Sequence, residues 1–404
     1  MDADIQAARG VTIRRVTSGP ASHFFGYYDM PSWDASGRYL LTQRVNLDVE
    51  IPSADDHATI GTVDLENACR FREISTTRTW SWQQGAMLHW LPEHGPTTVV
   101  YNDSDGDRYV TRVVDIESGT SRVLDRPIAA VSHDQRRALS LNFARLRVRP
   151  EVGYPGLPDP WEDVDHPADD GIYLVDLDSG TAELAVSLDE IVSVRPHPSM
   201  HGAINWVNHL IFSPDDAHAM FVHRWWPPGA PRFRTRFMLL RIADASVREI
   251  WPTRASHMCW RSPSEIQFSA IPADVPDDPE SRSGQMGFWL LDLATGDARP
   301  VGRNVLPPDG HCSYRPGGRF VLMDTQPDSS GLRRLLVYDE DTERALELGR
   351  FHSPPRYAGP VRCDLHPRWS RDGRQVCIDS VHEGSRQMYV IDAAEALNAW
   401  IQEA

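Results

Sequence analysis

With 404 residues, 41% of them hydrophobic and 24% charged, the chain has the composition of an ordinary globular protein. A formal net charge of −16 excludes a nucleic-acid backbone as partner, because phosphate binding needs a basic face; an anionic small molecule held by local arginines stays open. No run approaches the ~18 apolar residues of a membrane span, the first fifteen residues hold no signal-peptide core, and the five cysteines are scattered, so a cytoplasmic setting with free thiols is expected.

The content of 27 Gly, 31 Pro and 13 Trp points to many short strands. In chain order, the first is VTIRRVT (11–17), which has no unit of its own. Seven hairpin segments follow: SWDASGRYLL (32–41), HWLPEHGPTTVV (89–100), AVSHDQRRALSL (130–141), IFSPDDAHAMFV (211–222), CWRSPSEIQFSA (259–270), SYRPGGRFVLM (313–323) and RWSRDGRQVCI (368–378). Their apolar or aromatic anchors are Trp33, Trp90, Val131, Phe212, Trp260, Tyr314 and Trp369. Behind each anchor comes an alternating strand ending near an acid (Asp64, Asp115, Asp176, Asp292, Asp339, Asp392), with Arg241 in the fourth unit. A short fourth strand follows in most units.

Seven units of four antiparallel strands predict an all-β, seven-bladed β-propeller, one domain over 1–404. The last unit lacks a fourth strand, so 11–17 is expected to complete it and close the ring. An insertion at 149–170 and a helical tail at 393–404 complete the layout.

Three residues before the anchor the blades read Met30, Met87, Ile128, His209, His257, His311 and His366. Four consecutive imidazoles near the axis suggest a divalent metal (Mn, Zn or Ca), which Cys259, Cys312 or Cys363 could help bind. The alternative is a ring of hydrogen-bonded polar groups lining a wet channel. No nucleotide or organic cofactor is expected. Near the eleventh position after the anchor come Arg44, Asn102, Asn142 and His223, with Arg145 and Arg224 just beyond. Tyr27, Tyr28, Trp82 and Gln84 lie on the approaches to blades one and two. Aromatics, amides, Arg and His around one opening suit an anionic oligosaccharide or another small molecule. Packing and ion-pair roles are the plainer alternatives for Trp82, Tyr27, Tyr28 and Arg44.

The segments PDDAHAMFV, PGGRFVLM and RDGRQVCI resemble TolB-like propeller repeats. FFGYYD, DGHCSYRPGGRFVLMDT and DLHPRWSRDGRQVCIDSVHEG together resemble the propeller polysaccharide lyases, the oligogalacturonate lyase and ulvan lyase group. That resemblance implies β-elimination on a uronic-acid chain, with His and Tyr as base and acid, Arg on the carboxylate and, in some members, a His-bound metal. On that reading His223 is the candidate base, Tyr28 the acid and Arg44 the carboxylate partner; Tyr27, Trp82, Gln84, Asn102, Asn142, Arg145 and Arg224 bind substrate; His209, His257, His311 and His366 hold the metal. A metal-dependent reaction on another small substrate such as a lactone, and a non-catalytic binding platform, are the competing classes.

Overall fold

A computed structural model describes residues 5–275 and 286–403. The alternating runs form seven antiparallel sheets arranged as propeller blades. Blade one is Ser22–Phe24, Tyr39–Val45, Ala58–Asp64 and Arg70–Thr77. Blade four, the longest-stranded, is Ile204–Phe212, His218–Trp226, Arg234–Arg241 and Val247–Trp251. Blade five starts with Ala255–Ser262, blade six with Cys312–Tyr314 and blade seven with Arg368–Trp369. Strand Thr12–Arg15 pairs with Gln387–Asp392, so the N-terminal segment closes the ring as expected. A further strand, Ile5–Ala7, pairs with the outer edge of blade six. Its three residues carry too little alternation to be read in advance.

The acids that end the third strands are turn formers. Asp115 and Asp176 each accept a backbone N–H from a serine three residues on, and Asp292 accepts one from Ala294. Such Asx geometry competes with strand extension and reverses the chain. Anchors join one blade to the previous one: Trp90 Nε1 donates to the Ser32 carbonyl and Trp260 Nε1 to that of Ile211. Each buried aromatic ring contributes about 2–3 kcal/mol to this packing.

Two inner-strand histidines make that core acid-sensitive. Burial lowers His89 from 6.5 to about 4. Burial, helped by Arg44, does the same to His23. Both are neutral when folded, whereas the unfolded chain protonates them below 6.5. The unfolded state therefore binds more protons between these values, and stability is lost as pH falls from 6.5 toward 4. Between about pH 7 and about pH 5 each histidine is expected to cost about 2 kcal/mol. Chemical denaturation of His89→Phe at both values tests this: its loss of stability on acidification should be smaller than that of the unmodified protein by that amount, and an equal loss would refute it.

Candidate functional site

The segment between the first two strands of blade one crosses the propeller axis. Phe25 N–H donates to Asp379 of blade seven, whereas the Tyr28 hydroxyl donates to the Met258 carbonyl of blade five and accepts its N–H. Gly26 permits the crossing: its φ is +141°, and a Cβ there would lie 2.8 Å from the Gln84 carbonyl oxygen. Tyr27 thereby reaches the histidines of the far blades. Its ring stacks on His209 at 4.7 Å and lies 5.0 Å from His366, and its hydroxyl is 3.4 Å from His209 Nε2.

The histidines turn inward because the inner strands are irregular at their position. His209 and His366 have φ of +54° and +43°, and pairing skips His257 between Ser256 and Met258. A residue outside the ladder re-aims its side chain at the axis. His257 and His311 lie 4.0 Å apart, and His311 and His366 4.3 Å, centre to centre. Among the described residues, His209 stacks on Tyr27 and makes no ring contact with these three, so the four do not form the single ligand ring expected from sequence.

Carboxylates fix two of the rings. His257 Nδ1 meets Asp309 at 2.8 Å and His311 Nδ1 meets Asp324 at 3.0 Å, which fixes each ring and leaves its opposite nitrogen for another partner. His366 Nε2 is buried with no hydrogen-bond partner among the described residues. Asp364 is held by Arg333 and Arg362, each at 2.8 Å; burial alone would raise its pKa, but the two guanidinium groups outweigh that and keep it ionised. His311, Asp364 and His366 offer ligand atoms all within 4.8 Å of one another. A divalent cation suits this mixed imidazole and carboxylate set. The carboxylate replaces the cysteine considered as an alternative ligand; the Cys259 and Cys312 sulfurs instead face each other at 3.3 Å.

Beside this cluster lies a cavity of about 250 Å³ lined by Tyr27, Tyr28, His209 and His257, together with Gln83, Arg149, Glu151, Arg224, Arg254 and Arg362. Arg149 pairs with Glu151, and the Arg149 and Arg224 guanidinium groups flank Phe233 at 4.4 and 5.1 Å. Burial, reinforced by Arg149, lowers Arg224 to about 9, so it is charged at neutral pH yet poorly solvated. Burial, reinforced by Arg224, holds His209 well below 6.5, so its ring is neutral. Burial pushes Tyr27 up, so its hydroxyl stays protonated.

Of the residues singled out from sequence, Tyr27, Tyr28, Arg224, His209 and His257 meet at this cavity. Others lie elsewhere. His223 is fully buried, with Nε2 on Asn205 and Nδ1 accepting from Arg236, so neither nitrogen reaches a substrate. It and Arg224 are neighbours in one strand and point to opposite faces. Arg44 pairs with Glu73 on blade one, away from the cavity. Trp82 is buried and donates to the Glu50 carbonyl. Gln84 is buried beside it, and the adjacent Gln83 lines the cavity instead. Asn102 bonds Ile128 and Tyr154; Asn142 bonds Asp159 and Asp170.

Arg145 holds the insertion down. Its buried guanidinium donates to Asp159 and to the carbonyls of Trp161, Val164, Asp165 and Asn205. Arg145→Ala leaves those acceptors unpaired and should cost about 3–5 kcal/mol. Limited proteolysis should then cut within 155–169 well before the unmodified protein is cut; an unchanged cleavage pattern and melting temperature would contradict this role.

No protein-family model matches the chain, and no curated protein matches it. Solved structures do. An oligogalacturonate lyase from Vibrio parahaemolyticus superposes with a TM-score of 0.65 at 14% identity, covering 97% of each chain. An oligogalacturonate lyase in complex with manganese gives 0.66 at 16% identity, over 96% of this chain and 94% of that one. The tricorn protease gives 0.53 at 10% identity, over 93% of this chain and 34% of its own. A propeller shared by lyases and a protease establishes architecture; the chemistry has to be argued from the site.

Proposed function

We propose that the protein is a lyase that cleaves short uronic-acid oligosaccharides by β-elimination. The observation that carries this reading is the cavity in which Arg149, Arg224, Arg254 and Arg362 surround the Tyr27–His209 pair. Elimination removes the proton on C5, next to the carboxylate. That C–H is a very weak acid until the carboxylate charge is neutralised. Arg224, cationic and desolvated, accepts the carboxylate and stabilises the enolate-like intermediate. The neutral His209 ring takes the C5 proton. The C4–O bond then breaks, and the Tyr27 hydroxyl supplies a proton to the departing oxygen. At 3.4 Å from His209 Nε2, Tyr27 recovers that proton from His209. Tyr28, with its hydroxyl engaged at both lone pair and hydrogen by Met258, positions Tyr27 instead of donating.

His311, Asp364 and His366 would hold a divalent ion, with His257 alongside. Such an ion, manganese in the structurally similar lyase, supplies positive charge to the substrate carboxylate when bound.

Running the cleavage in heavy-oxygen water separates elimination from hydrolysis. Elimination adds no water, so the fragments should carry no label beyond solvent exchange at the reducing end, and one should bear a new C4–C5 double bond. Label at the cleaved position with no unsaturated fragment would replace the lyase reading by a hydrolase.

A further inference from the structure

A second cavity of about 260 Å³ adjoins the first and shares Phe233, Thr235 and Arg254 with it. It is also lined by Pro227, Ala230, Arg232 and Arg234, from the end of one blade-four strand to the start of the next. Pro227 and Phe233 offer flat apolar surface, and guanidinium groups stand beside it. This combination accommodates a sugar that packs through its C–H face and carries a carboxylate at its edge. On a chain of net charge −16, arginines gathered in two adjoining cavities favour an anion.

We infer that the outer cavity is a further subsite for the same acidic chain, with Arg234 as a carboxylate partner, so that oligouronides longer than the dimer are preferred. This rests on the lyase reading and adds chain-length selection to it. Arg234 lies in the outer cavity and outside the inner one, so it separates the two.

The test is calorimetric binding of digalacturonate and tetragalacturonate. Both are measured in the His209→Ala background, which keeps the chains intact, with and without Arg234→Ala or Arg234→Gln. The tetramer should bind at least about tenfold tighter than the dimer, the worth of one charge-assisted contact. Either Arg234 substitution should erase most of that gain and leave the dimer within about twofold. Equal binding of the two lengths, or an Arg234 effect equal on both, overturns the subsite and leaves the lyase reading standing. Binding of neither oligomer to a folded protein overturns both. A melting temperature unchanged by Arg234→Gln shows that lost affinity is not lost structure.

Discussion

Arg224→Ala is expected to lower kcat/KM on a short oligogalacturonate by about 10²–10³, the usual worth of one preorganised donor at a developing anion. Three features account for an effect of this size. Arg224 lines the cavity directly. It is buried and, at about 9, its pKa reports a charge that water solvates poorly. It packs on Phe233 at 5.1 Å, beside Arg149 at 4.4 Å from the same ring. Arg224→Lys should recover little, because an ammonium cannot make the paired contact. Arg44→Ala, remote from the cavity, should leave the rate within about twofold. Retention of near-normal kcat/KM by a folded Arg224→Ala protein would remove this arginine from the mechanism.

His366→Ala is expected to abolish divalent-ion binding and to cost roughly a hundredfold or more in rate, since bound-metal charge is worth several kcal/mol at such a centre. His366 is one of three residues whose ligand atoms lie within 4.8 Å, and its Nε2 has no other partner among the described residues. Asp324→Asn keeps the ligand but loosens His311, so it should weaken metal affinity by about 10–100-fold without abolishing binding. Manganese content after dialysis, and rates before and after chelation and readdition, read both effects. Full metal occupancy in His366→Ala would contradict the assignment.

The architecture was legible because it repeats. Seven anchors, six acid-ended strands and an orphan strand at 11–17 specify blades and closure without any alignment. The inward histidines were legible for the same reason, as they share one position before the anchor. Residues that depart from the repeat were not. Arg149 and Glu151 enter from the insertion, and Arg254 and Arg362 from segments leading into blades five and seven, so no periodicity marks them. Asp364 had a readable signal, standing two residues before His366. A one-residue difference in strand phase separates His223 from Arg224, and composition is blind to phase; Gln83 and Gln84 lie in a turn, where no period applies. Asn102, Asn142 and Arg145 have the chemistry of sugar ligands, but they satisfy buried backbone and carboxylate groups. Only coordinates tell those two uses of an amide or guanidinium apart.

The most direct measurement is the ultraviolet absorbance of the conjugated unsaturated product when the manganese-supplied protein is mixed with digalacturonate and tetragalacturonate. A steady rise that stops on chelation and is nearly absent in Arg224→Ala is the result predicted here. No unsaturated product from either oligomer, with the protein folded and manganese present, would contradict the assignment of this cavity to β-elimination.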